Sequence, residues 1–368
     1  MNFRFGLLLA GGIVLSMAQT SSAQLIRAPL DSGFARGSSI AVTVDEMLGP
    51  QKSRSADEPI LGPGYPSLWI AEVQFKPVRN RLMEVVDPIT RKSEEELVWY
   101  MVYRIIPRDY TELAGDSRDD LLTKLRDPNL VPQNRIDEIQ GYPLQLPRFV
   151  LRTDDDGNNT ECVDEVNHQV QRAVFEREFQ SRAAHLRLLS STDAITEVLD
   201  PVSVNDPDQL ANAIYGVAIW RNVDPSTDYF TITMSGFSNA YRIYRNDNDE
   251  MVVEQKVIEQ RFGRPGDEFE QRESEFRLMD SARLAANGDV IVVMDGTVSR
   301  FSEDDPAPAF VDQVRTELKQ QRQESPDSAA ELTWPKWKYQ ARPAQISVPK
   351  FEQILRNPRV AGPVEEKP

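Results

Sequence analysis

The densest group of oxygen-bearing side chains in the sequence lies in residues 154–165, which read Asp-Asp-Asp-Gly-Asn-Asn-Thr-Glu-Cys-Val-Asp-Glu. A twelve-residue calcium loop of the EF-hand type takes oxygen ligands at positions one, three, five and seven, and a bidentate carboxylate at position twelve. When the loop is counted from residue 154, side chains with suitable oxygens fall at all of these positions. The spacing predicts a Ca²⁺ site, whose ligands would include Asp154, Asp156, Asn158 and Glu165.

Two positions depart from the calcium-loop pattern. Position six, where glycine normally makes the sharp turn, is Asn159, and position eight, which is normally apolar, is Glu161. Residues 149–152 upstream have the composition of a strand, so the segment is not flanked by two helices. The alternative interpretation is an acidic turn whose carboxylates complement the N-terminus of a following helix.

Acidic residues also cluster at positions 267–275. Glycoside hydrolysis needs two carboxyl groups at a set distance across a sugar, and sequence spacing does not give that distance. Glu273 and Glu275 alternate with Ser274 and Phe276, which is typical of the solvent face of a strand. A carboxylate-based glycan hydrolase therefore stays an alternative, and no catalytic residue is assigned.

Other common chemistries find little support in the sequence. The single cysteine, Cys162, excludes an intrachain disulfide and a cysteine-based zinc or iron–sulfur site. His168 and His185 lie on one predicted helix, about 25 Å apart at a rise of about 1.5 Å per residue, so they do not share a site. The sequence contains no nucleophile elbow, phosphate-binding loop or dinucleotide fingerprint. We therefore expect a binding protein without a cofactor rather than an enzyme.

Residues 1–23 have the three parts of a secretory signal peptide. Arg4 precedes an apolar run from Phe5 to Leu15, and small residues then lead to Ala23, after which we expect cleavage. The apolar run is shorter than the about 20 residues of a membrane-spanning helix, and no later segment is apolar for long enough. These features predict a periplasmic or secreted protein, soluble and without a transmembrane segment once the signal is removed.

The charge of the chain restricts its partners. The sequence has 42 Lys+Arg and 58 Asp+Glu, a formal net charge of −16. Such a charge repels nucleic-acid phosphates and anionic lipid surfaces, so we expect no nucleic-acid partner.

The body of the chain has the two-residue periodicity of β-strands. Apolar residues at 69, 71, 73 and 75 alternate with Glu72, Gln74 and Lys76, the pattern of a half-buried strand. Residues 97–106 are apolar on both faces, which is typical of a central strand covered on both sides. Further strands separated by turn residues are predicted at 214–220, 229–235, 241–244, 251–262, 269–278 and 290–294.

One segment has helical periodicity instead. Valines at 163, 166, 170 and 174 recur near every 3.6 residues, so a long amphipathic helix is predicted at 161–189. The predicted fold class is mainly β, an α+β arrangement of antiparallel β-sandwich-like domains with this helix between them.

The domain organisation follows from these elements. The predicted parts are a signal peptide (1–23), a flexible linker (24–60), a β-rich domain ending in the long helix (61–200), a second β-sandwich-like domain (201–301) and a proline-rich, largely disordered tail (302–368). A single continuous domain is the alternative to the boundary near residue 200. Within the tail, a short helix is predicted at 310–323, and Trp334 and Trp337 are expected to pack onto the folded body.

Several stretches of this body resemble known proteins; they are 68–77 (LWIAEVQFKP), 98–104 (VWYMVYR), 224–225 (DP), 236–241 (GFSNAY) and 264–269 (RPGDEF). Together they resemble a group of secreted proteins of unknown function from planctomycete bacteria. The resemblance spans residues 68–278 and brings no catalytic residues. It implies a bacterial, exported, envelope-associated protein.

The function expected from the sequence is a non-catalytic binding or scaffolding module of the cell envelope. Its partner would be an envelope protein or a polysaccharide. A carboxylate-based glycan hydrolase and a calcium-stabilised module are the alternatives.

Overall fold

The computed structural model describes residues 37–38, 70–86, 90–108, 119, 144–145, 147–155, 159–179, 186–197, 200–210, 213–238, 241–245, 251–264, 273–304, 306–324, 326 and 329–341. The predicted signal peptide with its cleavage after Ala23 lies outside these residues, and so does nearly all of the predicted linker.

Most of the described chain is β-strand. In chain order the strands are β1 (Gly37–Ser38), β2 (Ile70–Phe75), β3 (Arg79–Val86), β4 (Ser93–Arg108), β5 (Leu144–Gln145), β6 (Arg148–Thr153), β7 (Glu161–Val163), β8 (Leu188–Ser190), β9 (Thr196–Glu197), β10 (Ile214–Trp220), β11 (Tyr229–Ser235), β12 (Tyr241–Arg245), β13 (Met251–Gly263), β14 (Glu273–Glu275), β15 (Arg277–Leu284), β16 (Val290–Met294), β17 (Thr297–Phe301), β18 (Glu331–Thr333) and β19 (Lys336–Ala341). The described residues also contain two helices, α1 (His168–Phe179) and α2 (Ala309–Glu324). The mainly β prediction is confirmed.

The first sheet is built around β4. Its strand order is β1-β2-β4-β10-β8, with β3 also paired to β4, and β14 paired to β3. The pairs are antiparallel, except that β8 runs parallel to β10. Trp220 of β10 lies opposite Trp99 of β4, and Gly216 lies opposite Tyr103. Both faces of β4 are buried from residue 98 to residue 103, so the central strand predicted at 97–106 is confirmed.

The second sheet is larger and is centred on β13. Its strand order is β17-β16-β15-β13-β11-β6-β7, while β12 and β19 pair with β13, and β18 pairs with β15. A separate short pair joins β5 to β9.

Apolar side chains from both sheets form one shared core. Trp99 of the first sheet stacks on Phe276 at 4.5 Å between ring centroids and meets Phe230 of the second sheet edge-on at 5.3 Å. Alternating residues of β4 face the other way, where they pack with Val170 and Val174 of α1. The helix α2 covers β15 and β16 of the second sheet. The layers therefore run helix, sheet, sheet, helix, and the central strands of each sheet are buried on both faces.

The long helix predicted at 161–189 is wrong in its extent. Residues Glu161–Val163 form β7, Leu188–Ser190 form β8, and α1 occupies only His168–Phe179. Asn167 begins the helix, since its side-chain oxygen accepts hydrogen bonds from the backbone N–H of residues 169 and 170, both at 3.1 Å. Val163 and Val166, which suggested an earlier start, are 46% and 47% exposed and lie outside the helix.

The predicted boundary near residue 200 does not separate the two sheets. Strand β10 follows it in sequence yet pairs with β4 in the first sheet, while β6 precedes it yet pairs with β11 in the second. The single strand predicted at 269–278 is two strands, because β14 belongs to the first sheet and β15 to the second. Phe276 lies between them with no exposed surface. The ranges 61–200 and 201–301 are therefore interleaved.

The predicted disordered tail is wrong for its described part. The helix α2 confirms the short helix predicted at 310–323, and β18 and β19 join the second sheet. Trp334 and Trp337 are 7% and 6% exposed, which confirms that they dock onto the folded body. Residues 342–368 lie outside the described residues.

Candidate binding clefts

The predicted calcium segment is only partly described, since Asp156 and Asn158 lie outside the described residues. Asp154 is buried, and its Oδ1 accepts a hydrogen bond from Arg152 Nε at 3.0 Å, while the Thr231 hydroxyl donates to Oδ2. Glu165 accepts from Arg221 Nε at 2.8 Å. Both described carboxylates thus have cationic partners.

Among the described residues, no group of three or more His, Cys, Asp or Glu side chains is placed to hold a metal ion. Two of the four predicted ligands, Asp156 and Asn158, are not among these residues. Calcium binding at 154–165 therefore stays a prediction.

Next to this segment is a cleft of about 550 Å³, here called the Cys162 cleft. Its walls combine polar and apolar side chains and include Glu96, Leu97, Cys162, Val223 and Asp224. Burial, with the nearby charge of Glu165, raises the pKa of the Cys162 thiol. The thiolate is the nucleophilic form of cysteine, so this shift makes Cys162 a weak nucleophile at neutral pH. Hydrogen bonds from Ser226 lower the pKa of Asp224, which keeps that carboxylate ionised.

A second cleft, of about 490 Å³, lies between α2 and the second sheet and is here called the α2 cleft. The sheet contributes Arg152 from β6, Glu259 and Arg261 from β13, and Lys338 from β19. Strand register brings them together: Thr231 of β11 lies opposite Arg152 on one side and Arg261 on the other. Neighbouring residues of β13, such as Ile258, point into the core between the sheets.

The helix supplies the other wall of the α2 cleft through Asp312, Gln313, Thr316 and Glu317. These residues lie beside the apolar face of α2, which is buried through Phe310, Val311, Val314 and Leu318. The 3.6-residue period of the helix places these polar residues and the apolar residues on two adjacent faces of α2. The polar face lines the cleft, and the apolar face packs in the core.

Glu259 is the buried acid of this cleft. It is 1% exposed, Lys338 Nζ donates to Oε2, and Trp334 Nε1 donates to Oε1 at 3.2 Å. Lys336 Nζ lies 3.4 Å from Oε1. Burial alone would raise the pKa of Glu259, but the positive charges of Lys336, Lys338 and Arg261 outweigh burial and hold it well below the usual value. Glu259 is therefore ionised at neutral pH.

Arg261 is the buried base of the cleft, with 2% of its surface exposed. Its Nη2 donates to Glu317 Oε1 at 2.6 Å, and its guanidinium carbon lies 5.2 Å from the ring centre of Trp334. Its Nε is 3.5 Å from Glu259 Oε1 but makes no hydrogen bond there. Within the described structure, Nε and Nη1 have no hydrogen-bond acceptor. A buried cation with two unused donors thus lines an open cleft.

The other two carboxylates of the α2 cleft are also ion-paired. Asp312 Oδ1 accepts from Arg315 Nη1 at 2.5 Å, and Glu317 Oε2 accepts from Lys336 Nζ at 2.9 Å. A general acid needs a carboxyl group that keeps its proton near neutral pH. The lowered pKa of Glu259 does not meet that need, and the three ion-paired carboxylates can accept hydrogen bonds from polar groups.

Of the two glutamates predicted to face solvent on β14, only one does so. Glu273 is exposed and lies 3.3 Å from Arg81 Nε, in agreement with a solvent-facing position. Glu275 has its side chain only 7% exposed, with Oε2 2.5 Å from Arg79 Nη2, so its predicted solvent-facing position is wrong. Residues 265–272 lie outside the described residues.

The α2 cleft was not predicted from the sequence. Its signal was present in β19, where Lys336 and Lys338 alternate with Trp337 and Tyr339. The proline content of the tail concealed this short strand.

In the part of the chain that the structure describes, no helix has both the length and the apolar character needed to cross a membrane.

In comparisons with known proteins, no family model matches the chain, and no significant match was found among curated proteins or among solved structures.

Proposed function

We propose that this protein is an exported, non-catalytic binding module of a bacterial cell envelope. Its partner is an envelope protein or a polysaccharide. The signal-peptide pattern of residues 1–23 supports export, and the resemblance to secreted planctomycete proteins supports the bacterial envelope. The partner class is narrowed by the net charge of −16, which disfavours nucleic acid.

The observation that carries the binding role is that the α2 cleft has the size of a ligand pocket and that its carboxylates are ion-paired. It has a volume typical of ligand pockets, which span about 300–1,000 Å³. Glu259, Asp312 and Glu317 line it, and each is paired with a cation. A retaining or inverting glycosidase needs one carboxyl group that stays protonated, and such a group has a raised pKa. The pKa of Glu259 moves the opposite way, so binding fits this cleft better than hydrolysis.

The test is retention of a partner from an envelope extract by the immobilised protein that begins at Gln24. We expect a reproducible partner that is absent from beads carrying heat-unfolded protein. Incubation with the purified envelope polysaccharide should release no new reducing ends.

Two results would overturn the proposal. One is the absence of any partner above the unfolded-protein control. The other is release of reducing ends that is lost in Glu259→Gln or Glu317→Gln, since that would make the cleft a hydrolytic site.

A further inference from the structure

We infer that the α2 cleft binds an uncharged glycan, whose hydroxyl groups accept hydrogen bonds from Arg261 and donate to Glu317. This inference rests on the proposed binding function and names its site and ligand class. Its basis is a buried arginine with unused donors in a cleft whose charges balance.

The unused donors of Arg261 call for an acceptor. Its Nε and Nη1 have none within the described residues, although the side chain is 2% exposed. A buried donor without an acceptor is costly, because it has lost its hydrogen bonds to water. Both nitrogens are themselves buried, so a ligand oxygen in the cleft would restore these hydrogen bonds once the Glu317 side chain moves aside.

The balance of charge selects an uncharged ligand. Three cationic side chains line the cleft, and each is already paired with a carboxylate: Arg152 with Asp154, Arg261 with Glu317, and Lys338 with Glu259. An anionic ligand would therefore gain little net attraction at the site, and it would approach against the net charge of −16 on the chain. A hydroxyl group both donates and accepts, so a row of sugar hydroxyls matches alternating carboxylates and cations.

The walls leave room for a ligand to enter. The side chains of Lys338 and Glu317 are 33% and 37% exposed, so each can turn toward solvent when it gives up its ion pair with Glu259 or Arg261. Gln313 and Thr316 add neutral polar groups from α2. The volume of about 490 Å³ suits one or two sugar rings.

The structure also indicates that binding is weak. The ring of Trp334 would be a natural stacking surface for a sugar, but Arg261 and Lys336 already lie over it at 5.2 and 5.3 Å. Hydrogen bonds alone must then hold the glycan, in competition with water. We expect a dissociation constant of about 1 mM for a single short glycan.

The experiment uses an array of immobilised bacterial glycans, neutral and acidic, probed with multivalent display of the protein that begins at Gln24. The neutral glycan that binds best is then titrated in solution by NMR. We expect binding to one or more neutral glycans. Binding to no glycan, or to acidic glycans alone, overturns the inference.

Two tryptophan variants test the location. Thr316→Trp places a bulky ring in the cleft, and because Thr316 is exposed on α2, the change leaves the buried face of the helix intact. Gln323→Trp is the matched control, since Gln323 is exposed on the same helix and does not line the cleft. We expect Thr316→Trp to weaken glycan binding at least tenfold and Gln323→Trp to leave it unchanged. Equal binding by wild type and Thr316→Trp places the glycan elsewhere and refutes the inference.

Arg261→Gln tests the donor directly, and we expect it to abolish glycan binding. The melting midpoint and the circular dichroism of this variant show whether the loss of binding comes from unfolding. If it does, the Thr316→Trp variant alone tests whether the glycan binds in the α2 cleft.

The failures of the two proposals are distinguishable. If a partner is captured from the extract equally well by wild type and Thr316→Trp, the binding function stands and the α2 cleft is not its site. If no partner is captured and no glycan binds, both proposals fail.

Discussion

Glu178 of α1 and Arg79 of β3 form a buried ion pair, with Oε1 3.1 Å from Nη1 and side chains 1% and 5% exposed. The same carboxylate accepts hydrogen bonds from Lys76 Nζ at 3.2 Å and from the Tyr100 hydroxyl at 3.0 Å. One acid of the helix thus meets three donors of the first sheet. Because buried charge is tolerated only when it is paired, this carboxylate fixes where α1 lies on the sheet.

Glu178→Gln should therefore destabilise the protein strongly. Lys76 and Arg79 would lose a buried counter-charge, and breaking such a pair costs about 3–5 kcal/mol. Urea unfolding measures the change in the free energy of unfolding. Glu176→Gln is the matched control on the same helix, where the exposed side chain predicts a change within about 0.5 kcal/mol. Equal effects of the two substitutions would contradict the role of the ion pair.

Two tyrosines of β4 should respond differently to loss of their hydroxyl groups. The Tyr100 hydroxyl donates to Glu178, while the buried Tyr103 hydroxyl has no hydrogen-bond partner within the described residues. Tyr100→Phe should cost about 1–3 kcal/mol, whereas Tyr103→Phe should be neutral or slightly stabilising, since it removes an unsatisfied buried group. Thermal unfolding of both variants in the same buffer measures the two changes in stability. A large destabilisation by Tyr103→Phe would contradict the prediction, because it would mean that the hydroxyl makes a hydrogen bond in the folded protein.

Gly216 is expected to tolerate no side chain. A Cβ at this position would lie 2.3 Å from Cζ of Tyr103, whose ring is completely buried. Gly216→Ala should destabilise the protein by about 1–3 kcal/mol through overpacking. In a Tyr103→Leu background the same substitution should cost much less, and a double-mutant cycle measures this coupling. Additive effects of the two changes would show that the ring is not the obstacle.

The low pKa of Glu259 predicts a loss of stability in acid. The unfolded chain takes up a proton at this group near pH 4.5, whereas the folded protein resists it to lower pH. The stabilisation is therefore complete above about pH 4.5 and falls as the pH drops below that value. In Glu259→Gln this contribution is absent, so the stability difference from wild type should be largest near neutral pH and shrink toward acid.

Urea unfolding at a series of pH values measures that difference. Glu331→Gln is the control, because it removes one carboxylate from an exposed position on β18. A difference between wild type and Glu259→Gln that stays constant from pH 7 to acid would contradict a lowered pKa.

Calcium binding at residues 154–165 is tested by thermal unfolding. Binding to the folded state alone raises the melting midpoint in proportion to the logarithm of free calcium. The calcium prediction therefore expects a higher midpoint in excess calcium than in chelator, and no such difference in Asp156→Ala. An identical midpoint in both solutions removes the calcium-stabilised module.

Local strand patterns were predictable from the sequence where apolar residues alternate between clear turns. The strands predicted at 214–220, 229–235 and 290–294 coincide with β10, β11 and β16. Each is a short apolar run whose neighbours include glycine, asparagine or aspartate, so local side-chain chemistry decides its ends.

The surroundings of polar residues on those strands were not predictable. The alternation in β2 suggests that Glu72 and Lys76 face water, yet they are 1% and 2% exposed. Each is buried because it has a distant counter-charge: Glu72 Oε2 lies 2.7 Å from Arg108 Nε, and Lys76 pairs with Glu178. Such partners are set by strand pairing and helix docking, which no local pattern contains.

The α2 cleft could not be predicted from the sequence for the same reason. Its lining comes from β6, β13, β19 and α2, so residues from 152 to 338 converge only in the folded protein. The sequence predicted α2 itself, but the cleft also depends on β19, which the proline-rich composition obscured.

The interleaving of the two sheets has a consequence for biogenesis. Ser274 of β14 donates its N–H to the Asn80 side chain across 194 residues of chain. The first sheet is therefore completed by a strand that is synthesised long after its central strand β4. Pairings between segments so far apart in the chain are associated with slow folding. The edge of β3 that β14 covers therefore stays open during synthesis until residue 275 has been added to the chain.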